Sequence, residues 1–180
     1  MSGQSRRKGS KALKSNNSKT RTMKYITILP IIIFLILVWH KYGIQKSISE
    51  SYYRLTTKQQ PFFWASLTIT SFAIIFAYLY NHFNIFPNIL LILAGSGICY
   101  SAAAAFFKYS KIINTVHTYG ASLGYAFGYL FLISVFKFNS VWFIVPSLLL
   151  MWIIAKIDKK NYIWWFEIIG MITVWIGTLI

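Results

Sequence analysis

The chain reads as all-α: an integral membrane bundle of six transmembrane helices, preceded by a disordered basic N-terminal tail. Three observations predict this. Six stretches are too apolar and too long to live in water, all seven tryptophans fall near their ends, and 57% of the 180 residues are hydrophobic and 19% aromatic. That composition exceeds what an ordinary soluble domain carries. Because hydrocarbon offers the backbone no partner except its own helix, apolar stretches of this length are expected to be helical.

Residues 1–24 hold eight basic residues, five serines and no acid. With almost nothing apolar to bury, they cannot offset the entropy of ordering and are expected to be disordered. Ser2 stands where N-myristoylation needs glycine. The membrane domain is assigned to 25–180, with spans at about 25–40, 62–80, 88–107, 115–136, 141–155 and 163–180. A helix rising about 1.5 Å per residue needs about 20 residues to cross the hydrocarbon, so the short fifth span must recruit Phe138 or Ile157. The first span resembles the apolar core of a signal peptide. Its basic leader is long, however, and no small-residue cleavage site follows Leu37-Val38-Trp39-His40, so it is expected to be retained. The sixth span closes at Ile180, whose carboxylate is expected at the bilayer surface.

Trp39, Trp64, Trp152, Trp164 and Trp165 mark one interface and Trp142 and Trp175 the other, as amphipathic rings should. Lys and Arg number 18 against 3 acids, Glu50, Asp158 and Glu167, for a net charge of +15. Such a balance suits anionic lipid headgroups, with nucleic acid the lesser expectation. Nine basic residues fall on the side of the long first loop, against the eight of the tail plus Lys137. The first helix usually dominates, so the N-terminus is expected inside, in a bacterial inner (cytoplasmic) membrane.

Parity is firmer than absolute orientation. The ends of spans one, three and five and the starts of spans two, four and six share a surface. There lie His40, the loop Lys41 to Pro61, the turn Lys108 to Asn114, His117, the turn Lys156 to Tyr162, and Glu167. Within the loop, Ser47, Ser49, Tyr52, Tyr53 and Arg54 concentrate hydroxyls and a guanidinium, and its aromatic residues suggest that it folds back onto the helix ends. His117 should face the bundle interior, and an ionisable residue there is a functional candidate with Ser49, Tyr52, Tyr53 or Glu167 as partner. Glu167, only about 6–7 Å into its helix, is expected to reach water, Lys156 or Lys160. In the fourth span Gly120, Gly124 and Gly128 recur every four residues and line one narrow face, a packing seam toward the third span with its Gly95, Gly97, Ser101 and Ala102 to Ala105.

No histidine or cysteine spacing suits a metal, and Cys99 stands alone, so neither metal nor cofactor is expected. Ser47 to Tyr53 before an aromatic-rich helix, Ala94-Gly95 in the next, and Val116-His117-Thr118-Tyr119-Gly120-Ala121 resemble small multi-pass membrane proteins of bacteria and phages. The resemblance covers about residues 45–130 and implies architecture and a role for Ser49, Tyr52, Tyr53 and His117, with no chemistry attached. A remoter similarity to ceramidase-like membrane hydrolases would require several intramembrane histidines and an aspartate, which this chain lacks. The leading expectation is a polar pocket or docking surface at one interface for a lipid headgroup, open also to a protein partner or a second copy. The rivals are a lipid hydrolase or transferase using His117 as base and Ser49 as nucleophile, and a small-solute transporter or channel.

Overall fold

The computed structural model describes residues 26–79, 84–104 and 111–180, without the side chains of Ala77 and of 104–118. The basic tail, Asn81, His82 and Lys108 lie outside the described residues, as do the side chains of Asn114 and His117. Among the described residues every regular element is helical: α1 (Leu29–Tyr42), α2 (Ile48–Tyr52), α3 (Gln60–Leu79), α4 (Ile85–Ala104), α5 (Lys111–Phe136), α6 (Val141–Ile157) and α7 (Tyr162–Leu179), with a 3₁₀ turn at Lys137–Ser140 before α6.

Three segments are long and apolar enough to cross a membrane: Ile85–Ala103, Tyr119–Ile157 and Tyr162–Leu179. Leu29–Tyr42 and Gln60–Phe76 are shorter apolar helices. The 39 residues of Tyr119–Ile157 would run close to 60 Å if straight, about twice the hydrocarbon thickness. They do not run straight. Lys137 adopts φ +50°, a left-handed conformation that ends α5. Beyond it, Tyr129 Oη and Ser147 Oγ meet at 3.0 Å, and the rings of Phe136 and Phe143 lie 5.1 Å apart. The run is therefore a helical hairpin.

Each consecutive pair of long helices is antiparallel. Phe34 of α1 packs its ring against Phe62 and Phe63 of α3, and Gly95 of α4 lies beside Ile75 and Ser71 of α3. The chain then closes on itself. Trp175 Nε1 near the end of α7 donates to Thr27 Oγ1 just before α1 (3.1 Å), while Trp164 N at the start of α7 donates to Lys46 O just after α1 (3.1 Å). The two outer elements of the sequence are thus tied at both ends. Burial in α1 follows the stripe Ile31, Phe34, Val38, which joins Ile48, Tyr52, Phe63, Ala102, Trp164 and Met171 in one apolar cluster. A second cluster at the opposite end of the bundle holds Ile75, Tyr78, Leu90, Leu91, Phe131 and Leu132. In α6 only Ser147 and Met151 are buried, and Trp142 and Trp152 point outward.

The most extensive helix contact is α4 with α5, and it is made by backbone. A Cβ on Gly97 would lie 2.6 Å from Gly124 Cα and 2.8 Å from Gly120 O. One on Gly124 would meet Ala94 O at 3.1 Å, whereas one on Gly120 would find only ordinary contacts at 3.5 Å and beyond. The glycine stripe of α5 divides: Gly120 and Gly124 face α4, but Gly128 faces Val174 of α7. At 100° per residue a stripe of spacing four drifts around the helix, so its lower end turns from one neighbour to the next.

Candidate functional site

The loop between α1 and α3 folds back on the helix ends, as its tyrosines and isoleucine suggest. It leaves α1 through Gly43, at φ +73° and ψ −174°, a region that only glycine occupies without strain. Gln45 then steadies the turn, its Nε2 donating to Tyr42 O (2.8 Å) and Gly43 O (3.1 Å). Next comes α2, five residues whose N-terminal amides have no partner within the helix. Ser47, in extended conformation, accepts from Glu50 N (3.1 Å). Glu167, on α7, accepts from Ile48 N through Oε2 at 2.5 Å. A carboxylate 119 positions away thus caps a helix that is too short to hold itself.

This placement corrects the expectation for Glu167. Its side chain is buried, at 8% exposure, and no ion pair to Lys156 or Lys160 forms among the described residues. The interior reaches it because the loop covers the helix ends and takes the place that water would have filled. Beside it Ser49, Ser101, Ala121 and Tyr125 help to line a cavity of about 30 Å³, the share of one water in the liquid. Tyr125 Oη donates to Glu167 O (3.1 Å), so α5 is fastened to the same turn of α7. A second small cavity of about 40 Å³ lies beneath, apolar but for Thr70, Ser71 and Tyr125.

Of the residues singled out, Ser47, Ser49 and Glu167 come together, with the hydroxyls of Ser47 and Ser49 at 3.3 Å. Tyr52 is buried, its hydroxyl donating to Gln60 Oε1 (3.2 Å) and its ring edge-on to Tyr53 at 5.6 Å. Burial raises the Tyr52 phenol above its ordinary value, which keeps it a neutral donor. Arg54 is exposed to solvent and lines none of the cavities described, which removes it from the pocket. His117 lies four residues before Ala121 on α5, with its side chain outside the described residues. Sequence reasoning misses Tyr125 and gives Ser101 only a packing role, although Tyr125 stands four residues after Ala121 on the His117 stripe. The capping of α2 is legible too, because Ser47-Ile48-Ser49-Glu50 has the S-x-x-E spacing of a capping box.

On the outer side of the loop lies a larger pocket, about 260 Å³, where the end of α1 meets the start of α3. Phe34, Leu37, Val38 and Phe62 form its apolar wall, and His40, Lys41, Tyr42 and Gln59 its polar mouth. Lys41 Nζ stands 5.2 Å over the ring of Tyr42, within cation–π range. Gln59 uses Oε1 twice, accepting from Tyr42 Oη and Thr56 N, each at 3.2 Å. On the far side of the loop face, Asp158 accepts from Asn161 N (3.0 Å) and Trp165 Nε1 (3.3 Å) and closes the turn into α7. Slight desolvation opposes ionisation there, but the bonds from Asn161, Trp165 and the Lys160 backbone outweigh it and hold the carboxyl below its usual range. Compared with known proteins, the chain matches no protein-family model, no curated protein and no solved structure.

Proposed function

We propose that the chain is a six-helix integral membrane protein that acts by binding rather than by catalysis, its loop face serving as a fixed platform at headgroup level for anionic lipid. The observation that supports this reading best is the double tie of the loop to α7, Lys46 O to Trp164 N and Ile48 N to Glu167. A loop held in that way stays at the surface of the bundle. Around it Lys41, Lys46, Arg54, Lys58, Lys156, Lys159 and Lys160 are all exposed at one end. Each basic side chain close to an anionic surface contributes up to about 1 kcal/mol. The basic tail adds to this attraction from the opposite, cytoplasmic side, in a bacterial inner membrane with the N-terminus inside.

Six crossings account for the apolar hairpin, for α4 and α7, and for the two shorter helices. At 14 residues, α1 reaches about 21 Å, so the bilayer thins beside it or the turn at Ile26–Ile28 extends it. The hydrolase reading with Ser49 and His117 has less behind it: a cavity of about 30 Å³ beside Ser49 has no room for an ester. The transporter reading ranks third, because the two inner cavities are water-sized.

The test is native mass spectrometry of the detergent-solubilised protein given equal amounts of phosphatidylglycerol and phosphatidylcholine. Preferential retention of the anionic lipid is expected, reduced when Glu167→Ala releases the loop. Equal retention of the two lipids would overturn the reading.

A further inference from the structure

Resting on that reading, we propose that the pocket between the end of α1 and the start of α3 is a binding site for a single anionic phospholipid. Its phosphate would sit among Lys41, His40 and Gln59, and the first carbons of one acyl chain against Leu37 and Phe62, the exposed part of the apolar wall. Three features of the pocket select this occupant. It has a cationic mouth over an apolar wall, the amphiphile's own division. Its volume of about 260 Å³ suits a headgroup and the top of a chain, but is smaller than the roughly 300–1,000 Å³ of sites that enclose a whole small ligand. Below the mouth, Leu37 and Ile33 are exposed about one turn apart on α1, a surface along which the rest of the chain can run.

The donors are preset. Tyr42 Oη and Thr56 N both donate to Gln59 Oε1, which fixes the amide so that its NH₂ is the end left for an acceptor. Lys41 is positioned by the Tyr42 ring, and its ammonium supplies the charge that a phosphate oxygen requires. A free phosphate would use the mouth and ignore the wall. The apolar half of the pocket is what commits it to a lipid.

The experiment compares retention of phosphatidylglycerol by the wild-type protein with retention by Lys41→Gln, Lys41→Arg and, as a control for general surface charge on the same face, Lys159→Gln. Lys41→Gln should lower retention at least tenfold, Lys41→Arg should restore most of it, and Lys159→Gln, which loses only its share of the diffuse attraction, should lower it by less than about fivefold. Because Lys41 is exposed, folding is not at stake, and thermal unfolding of the variant should match wild type. If Lys159→Gln lowers retention as much as Lys41→Gln does, the site is no more than diffuse charge and the proposal fails while the platform reading survives. Indifference of the wild-type protein to headgroup charge would remove both. Displacement of bound phosphatidylglycerol by equimolar inorganic phosphate would also overturn the proposal.

Discussion

The α4–α5 seam and the clamp of the loop on α7 hold the same bundle by opposite means. In the seam, backbone meets backbone with no side chain between, and Gly97 sits against Gly124 and Gly120. In the clamp, a carboxylate reaches across to an amide, Glu167 to Ile48 N, while the side chains of Ile48 and Tyr52 join the apolar core. On the proposed membrane reading, lipid tails are as apolar as leucine, so the seam has no water to drive its helices together, and close approach with its dispersion contacts is what remains. The same reading puts the clamp at the headgroup level, where water competes for every polar group and a hydrogen bond persists when it is covered, as this one is. The contrast teaches that depth chooses the kind of glue.

Breaking the seam should have the largest effect. Gly97→Leu is expected to prevent α4 and α5 from packing, with loss of monodisperse protein in size-exclusion chromatography. Alanine should grade the contact: Gly97→Ala costs about 1–3 kcal/mol because backbone lies on both sides and cannot yield, Gly124→Ala costs less, and Gly120→Ala is near neutral. Thermal unfolding in detergent reads the order directly. Equal effects at positions 97 and 120 would mean that the close approach is not where the structure puts it.

The clamp should break more gently and locally. Glu167→Ala leaves Ile48 N buried without an acceptor, at a cost of about 1–3 kcal/mol, and hydrogen exchange of the amides of residues 48–53 should accelerate while α4 and α5 stay protected. Glu167→Gln retains an acceptor oxygen and should fall between alanine and wild type. Uniform acceleration across the whole bundle would show that the carboxylate supports the global fold and is no loop clamp.

How much of this is legible in the sequence follows from the same contrast. The seam announces itself through spacing: Gly120 and Gly124 repeat on one helical face, and periodicity is a local property. What spacing cannot give is the ranking, since three glycines that look equivalent meet a backbone, an open contact and, at Gly128, the Val174 side chain of another helix. Ser47 and Glu50 carry the spacing of a cap, yet their polarity alone suggests pocket groups. The pairing of Glu167 with Ile48 joins positions 119 apart, and no local pattern encodes it. The pocket at Lys41 and Gln59 is hidden for the same reason, because its wall and mouth come from two helices separated by the whole loop. The reversal at Lys137 falls at an expected break between spans, although no glycine marks it.

That reversal makes a smaller prediction. Lys137 holds φ +50°, a conformation that costs a side chain about 1–2 kcal/mol, against which glycine brings an entropic cost of about 0.5–1 kcal/mol. Lys137→Gly should therefore stabilise the hairpin by roughly 0.5–1 kcal/mol, seen as a raised unfolding midpoint. A lowered midpoint would mean that what the lysine side chain contributes outweighs the strain.

The smallest effect belongs to Asp158, at the turn on the clamp's own face. Slight desolvation pushes its carboxyl up, but Asn161, Trp165 and the Lys160 backbone outweigh that and hold it below the usual value of 3.8. A folded value below the unfolded one means that the unfolded chain binds the proton first as pH falls. The stabilisation is thus fully present above about pH 5 and disappears as pH drops below about 4 through the folded value. Asp158→Asn cannot accept on both oxygens and has no proton to gain, so its unfolding midpoint should lie below wild type at neutral pH and approach it as the solution is acidified. The chain's other carboxyl groups are common to both proteins, and the difference between the two curves isolates the one group. If that difference stays constant between about pH 6 and about pH 3, the carboxylate of Asp158 is not what closes the turn.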